Sequence, residues 1–358
     1  MKRIFIAILL CSAFAFQTMA IDTSAKSAIL LEARNRTVLY EKNAYEKRPI
    51  ASTTKIMTAI LAIENGDLED VVEVKPEQVG IEGTSIYLKE GERISVKTLL
   101  YGLMLKSGND AAETLAQYVS GDIASFVKLM NEKANILGME NTNFANPHGL
   151  PDDNHYSTAY DMARLTAYAM KNETFRAIVS SKNYTSEGRS FANHNKLLKM
   201  RNEIDGVKTG FTKAAGRCLV SSGEKDGMRL VVVTLADPND WDDHLKLYDF
   251  GFDNFKCTKI CSDGQVVATL PIAGNGRVSA VAECDFCVTS ANADEIEKKI
   301  YLPRFRYAPV LKGDKVGEIR IIKNGETIKK VDLLADRDIV LSQKKGLFEK
   351  VLDKIKNG

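Results

Sequence analysis

Residues 49–63 read PIASTTKIMTAILAI and combine a Ser-x-x-Lys motif with a run of regularly spaced apolar residues. Apolar residues recur at helical spacing from Ile56 to Ile63, which predicts a helix with Ser52 at or near its start. Ser52 and Lys55 are three residues apart, so both side chains lie on one helix face. A lysine amine of lowered pKa can accept the proton of a serine hydroxyl and make it a nucleophile. An isolated motif of this kind is more often a helix cap with a solvated lysine.

Two more motifs follow along the chain and make the first one specific. Ser107-Gly108-Asn109 interrupts a predicted helical region, and Lys208-Thr209-Gly210 stands at the start of a predicted strand. Three such motifs, in this order and with Ser-Asp-Asn in the middle, occur together in penicillin-binding proteins and β-lactamases. Here Gly108 takes the place of the aspartate. Ser107 can pass a proton between the lysine and a leaving amine. Asn109 can hold a substrate amide.

The third motif supplies groups for binding a substrate that ends in a carboxylate. Lys208 binds such a group by charge, and Thr209 binds it through a hydroxyl hydrogen bond. Gly210 lets a substrate backbone approach the strand closely. The backbone N–H groups of Ser52 and Phe211 are suited to form an oxyanion hole. The three motifs together therefore predict acyl transfer through a serine ester.

The chain resembles the low-molecular-mass penicillin-binding proteins that are serine-type D-alanyl-D-alanine carboxypeptidases, over nearly its whole length after residue 20. Three strings carry the resemblance: ASTTKIMT at 51–58, NPHGL at 146–150 and DGVKTGFT at 205–212. It implies that Ser52 is the nucleophile and Lys55 the general base. Ser107 and Asn109 would assist, and Lys208 would bind the substrate carboxylate.

The resemblance also implies the substrate and the inhibitors. In this family the serine attacks the bond between two terminal D-alanines of the peptidoglycan stem peptide, the last D-alanine leaves, and water hydrolyses the acyl-enzyme. β-Lactam antibiotics mimic the D-Ala-D-Ala end and acylate the same serine. The family requires no cofactor and no metal, so we expect neither.

Three other functions use or could retain the same motifs. A class A β-lactamase has a deacylating glutamate, in a Glu-x-x-x-Asn pattern, but no glutamate between Asn109 and Lys208 has an asparagine four residues on. A transpeptidase differs only in its acceptor, an amine instead of water. A non-catalytic wall-binding module would not need a paired nucleophile and base. We therefore favour the carboxypeptidase and keep the transpeptidase as its closest rival.

Residues 1–20 predict a signal peptide. They begin Met1-Lys2-Arg3, continue with an apolar run from Ile4 to Phe16 and end in Thr18-Met19-Ala20, with small residues at the first and third positions. About 13 apolar residues are too few to cross a bilayer core. We therefore expect an exported protein at the outer face of the cytoplasmic membrane, in the periplasm or in the cell wall.

The remaining chain predicts two domains. Residues 21–254 have strand-like runs at both ends and helices between, which indicates an α/β (α+β) domain of the serine β-lactamase/transpeptidase type, an antiparallel sheet flanked by helices. Residues 255–342 contain short β-rich runs separated by turns such as Lys323-Asn324-Gly325, which predicts a small all-β sandwich. Residues 343–358 form a separate amphipathic tail.

Charge excludes one class of partner and suggests another. The chain has 49 basic and 47 acidic residues, and loss of residues 1–20 leaves 47 of each. A neutral protein of this kind is not expected to bind nucleic acid. The stretch from Lys344 onward nevertheless has five cations and two anions, with its apolar residues on one helical arc. It predicts an amphipathic helix on an anionic membrane surface, or else a terminal helix packed on the β domain.

Five cysteines lie beyond residue 20. Cys257 and Cys261 form one close pair in sequence, and Cys284 and Cys287 form another. This spacing is compatible with a zinc site, but disulfides or reduced buried thiols are equally acceptable in an exported protein. Cys218 lies in a predicted strand and is expected to be a small core residue.

Two polar residues near the motifs are assigned no catalytic role. His148 lies in a turn between Pro147 and Gly149, and a structural role is favoured because the serine already has a lysine base. Asp161 either pairs with a cation of the motifs or is an acidic residue in the first turn of a helix.

Overall fold

A computed structural model describes residues 21–273, 276–291 and 294–340. The predicted signal peptide at residues 1–20 and the predicted amphipathic tail at residues 343–358 lie outside the described residues. Within the described ranges, no helix combines the length and the apolar character needed to span a bilayer.

The first part of the chain forms nine strands and eight helices among the described residues. The strands are β1 (Ser27–Glu32), β2 (Thr37–Lys42), β3 (Val71–Glu73), β4 (Arg93–Ser95), β5 (Asn183–Ser186), β6 (Arg189–Ala192), β7 (Ile204–Thr212), β8 (Gly216–Lys225) and β9 (Met228–Leu235). The helices are α1 (Lys55–Asn65), α2 (Val96–Tyr101), α3 (Asn109–Ser120), α4 (Ile123–Leu137), α5 (Ala159–Ala169), α6 (Glu173–Ser180), α7 (Leu197–Met200) and α8 (Asp240–Asn254).

Five of these strands form one antiparallel sheet in the order β2-β1-β9-β8-β7. Successive residues of its strands place apolar side chains on both faces of the sheet. Leu230 and Val232 of β9 pack with Leu247 and Tyr248 of α8, whereas Val231 of the same strand joins the core that contains α1, α3 and α5. The sheet therefore lies between α8 and a larger layer of helices, and β7 is one of its edges.

The second part of the chain is all β. Its strands are β10 (Phe255–Cys261), β11 (Val266–Ile272), β12 (Gly276–Ala282), β13 (Phe286–Ala291), β14 (Ile296–Tyr301), β15 (Lys315–Lys323) and β16 (Glu326–Ala335). They form a two-stranded ribbon, β10-β13, and a sheet in the order β11-β12-β16-β15-β14. The ribbon and the sheet share one apolar core, in which Ile260 and Val288 of the ribbon pack with Leu270, Val278 and Ile319 of the sheet. The predicted fold class, a helix-flanked antiparallel sheet followed by a β domain, is confirmed.

One sequence-based boundary is wrong. Lys208 was expected at the start of its strand, but β7 begins four residues earlier, at Ile204. Asp205 and Gly206 have low intrinsic strand propensity, and the register of β7 against β8 shifts between Ile204 and Gly206. Pairing with β8 overrides the local preference. As a result Lys208 lies in the middle of an edge strand, where its backbone is held firmly.

Two local conformations place the first two motifs. Residues Ala51–Thr54 form a 3-10 turn directly before α1, so Ser52 lies in the turn and Lys55 opens the helix. A π-helical turn, Gly102–Lys106, follows α2 and ends at Ser107, whose φ of 68° is left-handed. The helical region is interrupted there, and α3 starts afresh at Asn109.

Candidate active site

The turn that carries Ser52 lies against the edge of the sheet. Thr53 Oγ1 donates to the Ile50 carbonyl at 2.6 Å, and Thr54 Oγ1 donates to the Ala51 carbonyl at 2.8 Å, so the turn is fixed by its own side chains. At Gly210 of β7 an added Cβ would stand 3.1 Å from the Ser52 nitrogen and 3.2 Å from Ala51 Cβ. Glycine is therefore needed for the strand to come this close to the nucleophile's turn.

Lys55 is completely buried, and three oxygen atoms surround its amino group. Its Nζ lies 3.0 Å from Ser52 Oγ, 2.7 Å from Asn109 Oδ1 and 2.7 Å from the His148 carbonyl oxygen. Burial and the positive charge of Lys208 lower the pKa of Lys55 well below its usual value. The charge of Asp110 opposes that shift.

The hydrogen-bonding capacity of this amine leaves one position for the serine. A neutral lysine amine has two N–H donors and one lone pair. The Asn109 and His148 carbonyl oxygens can only accept, so they take the two N–H groups. The lone pair then faces Ser52 Oγ, whose hydroxyl can donate to it. The arrangement can therefore take the serine proton without any movement of the lysine.

The carboxylate of Asp110 is held by a loop that closes one side of the site. It accepts from the Ile86 N–H at 3.0 Å, from the Leu88 N–H at 3.1 Å and from the Ser85 hydroxyl at 2.5 Å. Buried donors of this kind stabilise a carboxylate without a cation beside it. Asp110 thus ties residues 85–88 to the start of α3, which also carries Asn109. No sequence motif pointed to this residue.

Asn109 uses its amide group to organise the site. The oxygen accepts from Lys55, and the amide nitrogen donates to the Glu82 carbonyl at 2.5 Å. Its backbone N–H donates to the Thr84 carbonyl at 2.7 Å. Asn109 was predicted as a substrate ligand, and the structure places it as a contact of Lys55 that is 4% exposed.

Lys208 of β7 is also buried, and its Nζ donates to the Thr209 carbonyl at 2.9 Å. Burial lowers the pKa of Lys208 to about 7. The two lysines are a pair of buried amines, and the charge of Lys208 disfavours the charged state of Lys55. An anion that enters beside Lys208 would favour its protonated form.

A cavity of about 310 Å³ opens onto Ser52. Five of the predicted residues line it, namely Ser52, Ser107, Thr209, Gly210 and Phe211. The other three predicted residues, Lys55, Asn109 and Lys208, are buried behind this wall. The three motifs, which are far apart in sequence, therefore meet at one site.

The cavity also has lining residues that the sequence motifs did not reveal. His194 and Arg217 lie on its wall, with Thr84, Asp240 and Trp241. Arg217 donates to the Asp240 carboxylate at 2.6 Å and lies 5.6 Å from the Trp241 ring centroid. Arg217 pairs with Phe211 across the β7–β8 hairpin, and its place shortly after the third motif was the one available signal for it. The loop position of His194 has no such signal.

His148 has a structural role, in agreement with its sequence context. Its carbonyl holds Lys55, its Nδ1 accepts from the Leu150 N–H at 3.2 Å, and its Nε2 lies 3.1 Å from Glu113. Asp161 lies in the first turn of α5 and accepts from Asn141 and Thr142. Of the two alternatives for Asp161, the structure therefore supports an acidic residue in the first turn of a helix.

The cysteines do not form a common metal site. Among the described residues, no group of three or more His, Cys, Asp or Glu side chains is arranged to hold a metal ion. Cys218 is buried in the main core, and burial raises its thiol pKa to about 11. The other four cysteines lie on and beside the β10–β13 ribbon.

Comparison with known proteins agrees with the site. The family profile described as D-alanyl-D-alanine carboxypeptidase matches residues 14–239, and the profile described as penicillin-binding protein 5, C-terminal domain, matches residues 255–341. The D-alanyl-D-alanine carboxypeptidase DacF of Bacillus subtilis is 34% identical over 351 residues, which cover 92% of this chain and 90% of that protein.

Solved structures share the fold. Penicillin binding protein 5 from Haemophilus influenzae superposes with a TM-score of 0.78 at 28% identity, covering 89% of this chain and 98% of that one. A mutant of the Streptomyces K15 DD-transpeptidase superposes with a TM-score of 0.63 at 32% identity, covering 65% of this chain and 99% of that one. With its serine, its buried lysine and these relatives, the chain belongs to the D-alanyl-D-alanine carboxypeptidase family of penicillin-binding proteins and is a serine-type carboxypeptidase.

Proposed function

We propose that the enzyme removes the terminal D-alanine from peptidoglycan stem peptides through an ester on Ser52. The observation that supports this most directly is the contact of Ser52 Oγ with a buried Lys55 whose two other contacts are carbonyl oxygens. Lys55 takes the hydroxyl proton while Ser52 Oγ attacks the carbonyl carbon of the penultimate D-alanine. The N–H groups of Ser52 and Phe211 stabilise the negative oxygen that develops.

The remaining motif residues then serve the departure of D-alanine. Ser107 lies on the cavity wall with Ser52, and it relays the proton from Lys55 to the leaving amine. Thr209 contacts the substrate carboxylate in the cavity, and Lys208 behind it supplies positive charge. The second N–H of the Asn109 amide is the group that binds a substrate amide. Water finally hydrolyses the ester and releases the shortened stem peptide. β-Lactams acylate Ser52 in the same position.

A labelled penicillin and a D-alanine release assay test this mechanism. We expect Ser52→Ala to lose covalent labelling completely, because the acceptor oxygen is gone. Ser186→Ala, in the β5–β6 hairpin and outside the cavity lining, is a matched control and should label at the wild-type rate. Labelling of Ser52→Ala at full rate would refute the assignment. Release of free D-alanine without cross-linked product supports hydrolysis.

Transpeptidation is a second candidate, and a specific observation favours considering it. The structural relative from Streptomyces K15 is described as a DD-transpeptidase and matches most of the catalytic domain. Both reactions share the acyl-enzyme and differ in the acceptor. Adding an amine acceptor at increasing concentration distinguishes them: a carboxypeptidase keeps releasing the hydrolysed peptide, whereas a transpeptidase diverts most acyl groups to the amine.

We also propose that the enzyme works outside the cytoplasm and touches the membrane surface through residues 343–358. Peptidoglycan lies outside the cytoplasmic membrane, and the segment from Lys344 has a net charge of +3 in its sequence. Truncation before Lys344 should abolish binding to vesicles that contain anionic lipid, whereas neutral vesicles should bind neither form strongly. Unchanged binding of the truncated protein to anionic vesicles would contradict the proposal.

A further inference from the structure

Four cysteines occur as two cross-strand pairs on the ribbon that begins the β domain. β10 and β13 are antiparallel, with Cys257 opposite Thr289 and Lys259 opposite Cys287. Cys257 and Cys287 are therefore diagonal neighbours on one face of the ribbon. Burial and the Cys287 thiol raise the pKa of the Cys257 thiol, and the second effect is expected for two thiols that lie close together.

The second pair lies on the opposite face. The register of the ribbon shifts between Lys259 and Cys261, so that Cys261 pairs with Phe286 and points away from the face of Cys257. Cys284, two residues before Phe286, returns to the same side. Cys261 Sγ lies 3.5 Å from the Cys284 carbonyl oxygen, and both residues pack in the core of the β domain.

This separation argues against the zinc site that the sequence left open. A zinc ion would need all four thiolates around one point at about 2.3 Å. The bulge instead sends two thiols to each face of the ribbon, so that the ribbon backbone stands between the pairs. The pairing across strands also differs from the spacing in sequence, which would have joined Cys257 with Cys261 and Cys284 with Cys287.

Neighbouring residues hold one of these sulfurs in place. Arg34, in the turn between β1 and β2, donates to Cys287 Sγ at 2.7 Å. Asn35 donates to the Cys287 carbonyl at 2.7 Å. Both contacts come from the catalytic domain. The first thiol pair therefore lies where the two domains touch, and the second lies inside the β domain.

We propose that the exported enzyme carries two disulfides, Cys257–Cys287 and Cys261–Cys284, which cross-link both faces of the β10–β13 ribbon. Each bond forms by exchange with the disulfide of a thiol–disulfide oxidoreductase in the export compartment. One cysteine thiolate attacks the oxidant and expels one of its sulfurs as a thiol. The second cysteine thiolate then attacks the mixed disulfide and releases the other sulfur. Two cysteine thiols are oxidised and one disulfide of the oxidant is reduced to a dithiol.

Exposure assigns the order of attack. Cys257 and Cys284 are partly exposed, whereas Cys287 and Cys261 are buried. The exposed member of each pair therefore meets the oxidant, and the buried member closes the bond. Burial and the neighbouring Cys287 raise the pKa of Cys257 to about 11, which makes thiolate scarce in the folded protein. Oxidation of the folded protein is accordingly slow near neutral pH.

The experiment traps free thiols in the chain from Ile21 onward, produced once with an export signal and once without. Each sample is denatured without reductant, treated with iodoacetamide and analysed by intact-mass and peptide mass spectrometry. We expect one modified cysteine, Cys218, in the exported protein and five in the protein kept in the reducing cytoplasm. The exported protein should also be lighter by about 4 Da before alkylation, for four lost hydrogens.

Variants establish the pairing. Cys257→Ser should free Cys287 for alkylation and leave the Cys261–Cys284 bond intact, while Cys284→Ser should free Cys261 alone. Cys218→Ser is the matched control and should leave both bonds in place. Reduction should lower the melting temperature of the β domain by about 10 °C or more and leave D-alanine release within twofold.

Three results would overturn the proposal. These are five alkylated cysteines in the exported protein, disulfide peptides that join Cys257 to Cys261, and one zinc ion retained per chain. None of them depends on Ser52, so the outcome is independent of the proposed catalytic mechanism. Penicillin labelling of the same samples reports on that mechanism separately.

Discussion

Lys55 shows how burial prepares a residue for catalysis. An exposed lysine is protonated at neutral pH and cannot accept a proton. Here the side chain is sealed from solvent and lies near the charge of Lys208, and both effects favour the neutral amine. Three oxygens surround it, but only Ser52 offers a proton. The environment therefore makes the base and also directs it to its partner.

Replacing Lys55 should abolish acylation while the protein stays folded. We expect Lys55→Ala to lower the rate of penicillin acylation by about 10²–10⁴-fold, the usual contribution of a general base. Stopped-flow or gel-based labelling measures this rate, and a thermal melt controls for folding. Robust turnover of D-Ala-D-Ala peptide by this variant would overturn the base assignment.

Lys208 should act on substrate affinity more than on turnover. Loss of a charge-assisted hydrogen bond costs about 1.5–3 kcal/mol, so we expect Lys208→Ala to raise KM by roughly 10- to 100-fold with a smaller change in kcat. A peptide amide that lacks the terminal carboxylate is the control substrate, and its KM should change little. Equal losses for both substrates would contradict a role in carboxylate binding.

The same residue predicts a pH dependence. The pKa of Lys208 is lowered from 10.5 to about 7, so the free enzyme loses this positive charge as the pH rises above 7. For a carboxylate substrate, kcat/KM should therefore fall above pH 7, because kcat/KM reports the free enzyme. In Lys208→Ala this falling limb should disappear. Persistence of the limb in the variant would assign it to another group.

Strand β7 is the element that joins binding to chemistry. It is an edge strand, it carries Lys208, Thr209 and Gly210, and it lies against the turn of Ser52. Strand and turn must therefore keep a fixed separation for the two proposed oxyanion donors to work together. Gly210 is the residue that permits it.

Gly210→Ala should separate the strand from the turn. An added Cβ would lie 3.1–3.2 Å from Ser52 and from its neighbours, so either element must shift by a few tenths of an ångström. We expect acylation to fall by about 10- to 100-fold, less than for loss of an oxyanion donor. Gly227→Ala, at a left-handed φ of 75° in an open turn, should lose stability and keep acylation. Wild-type acylation in Gly210→Ala would contradict this role.

Elements with strong local signals could be predicted, and others could not. Helix α4 has strong local signals at both ends, because Asp122 caps its start and a left-handed Gly138 ends it. Strand β5 is short and mostly polar, and strand β14 is exposed along nearly its whole length, so neither could be predicted from its apolar residues. Helix α8 was not predicted either, because its formation depends on packing against the sheet.

The same contrast applies to the active site. Reactive side chains such as Ser52 and Lys208 can be recognised from sequence motifs. The His148 carbonyl and the Asp110 carboxylate cannot be recognised in this way. Every residue type has a backbone carbonyl, and the role of a buried carboxylate depends on the N–H groups around it. Sequence therefore names the reacting groups but misses much of what positions them.

At the scale of the whole molecule, the two domains have separate apolar cores. They touch through the polar contacts of Arg34 and Asn35 and through Phe255 and Cys257, which pack against an apolar cluster of the catalytic domain. We expect calorimetry to show two unfolding transitions. Acylation by a β-lactam should raise the melting temperature of the catalytic domain by several degrees and leave the β domain within about 1 °C. Equal shifts of both transitions would show that the chain unfolds as one unit.

The open side of β7 has a consequence for where the enzyme can cut. A free strand edge generally recruits any extended chain. Here the turn of Ser52 covers part of that edge, and the buried amine of Lys208 lies beside the rest of it. A peptide that continues past this point would bring no negative charge to pair with that amine. A peptide that stops there brings its own carboxylate. On the proposed roles, the covered strand edge and the buried amine together make this an enzyme that trims chain ends and spares chain interiors.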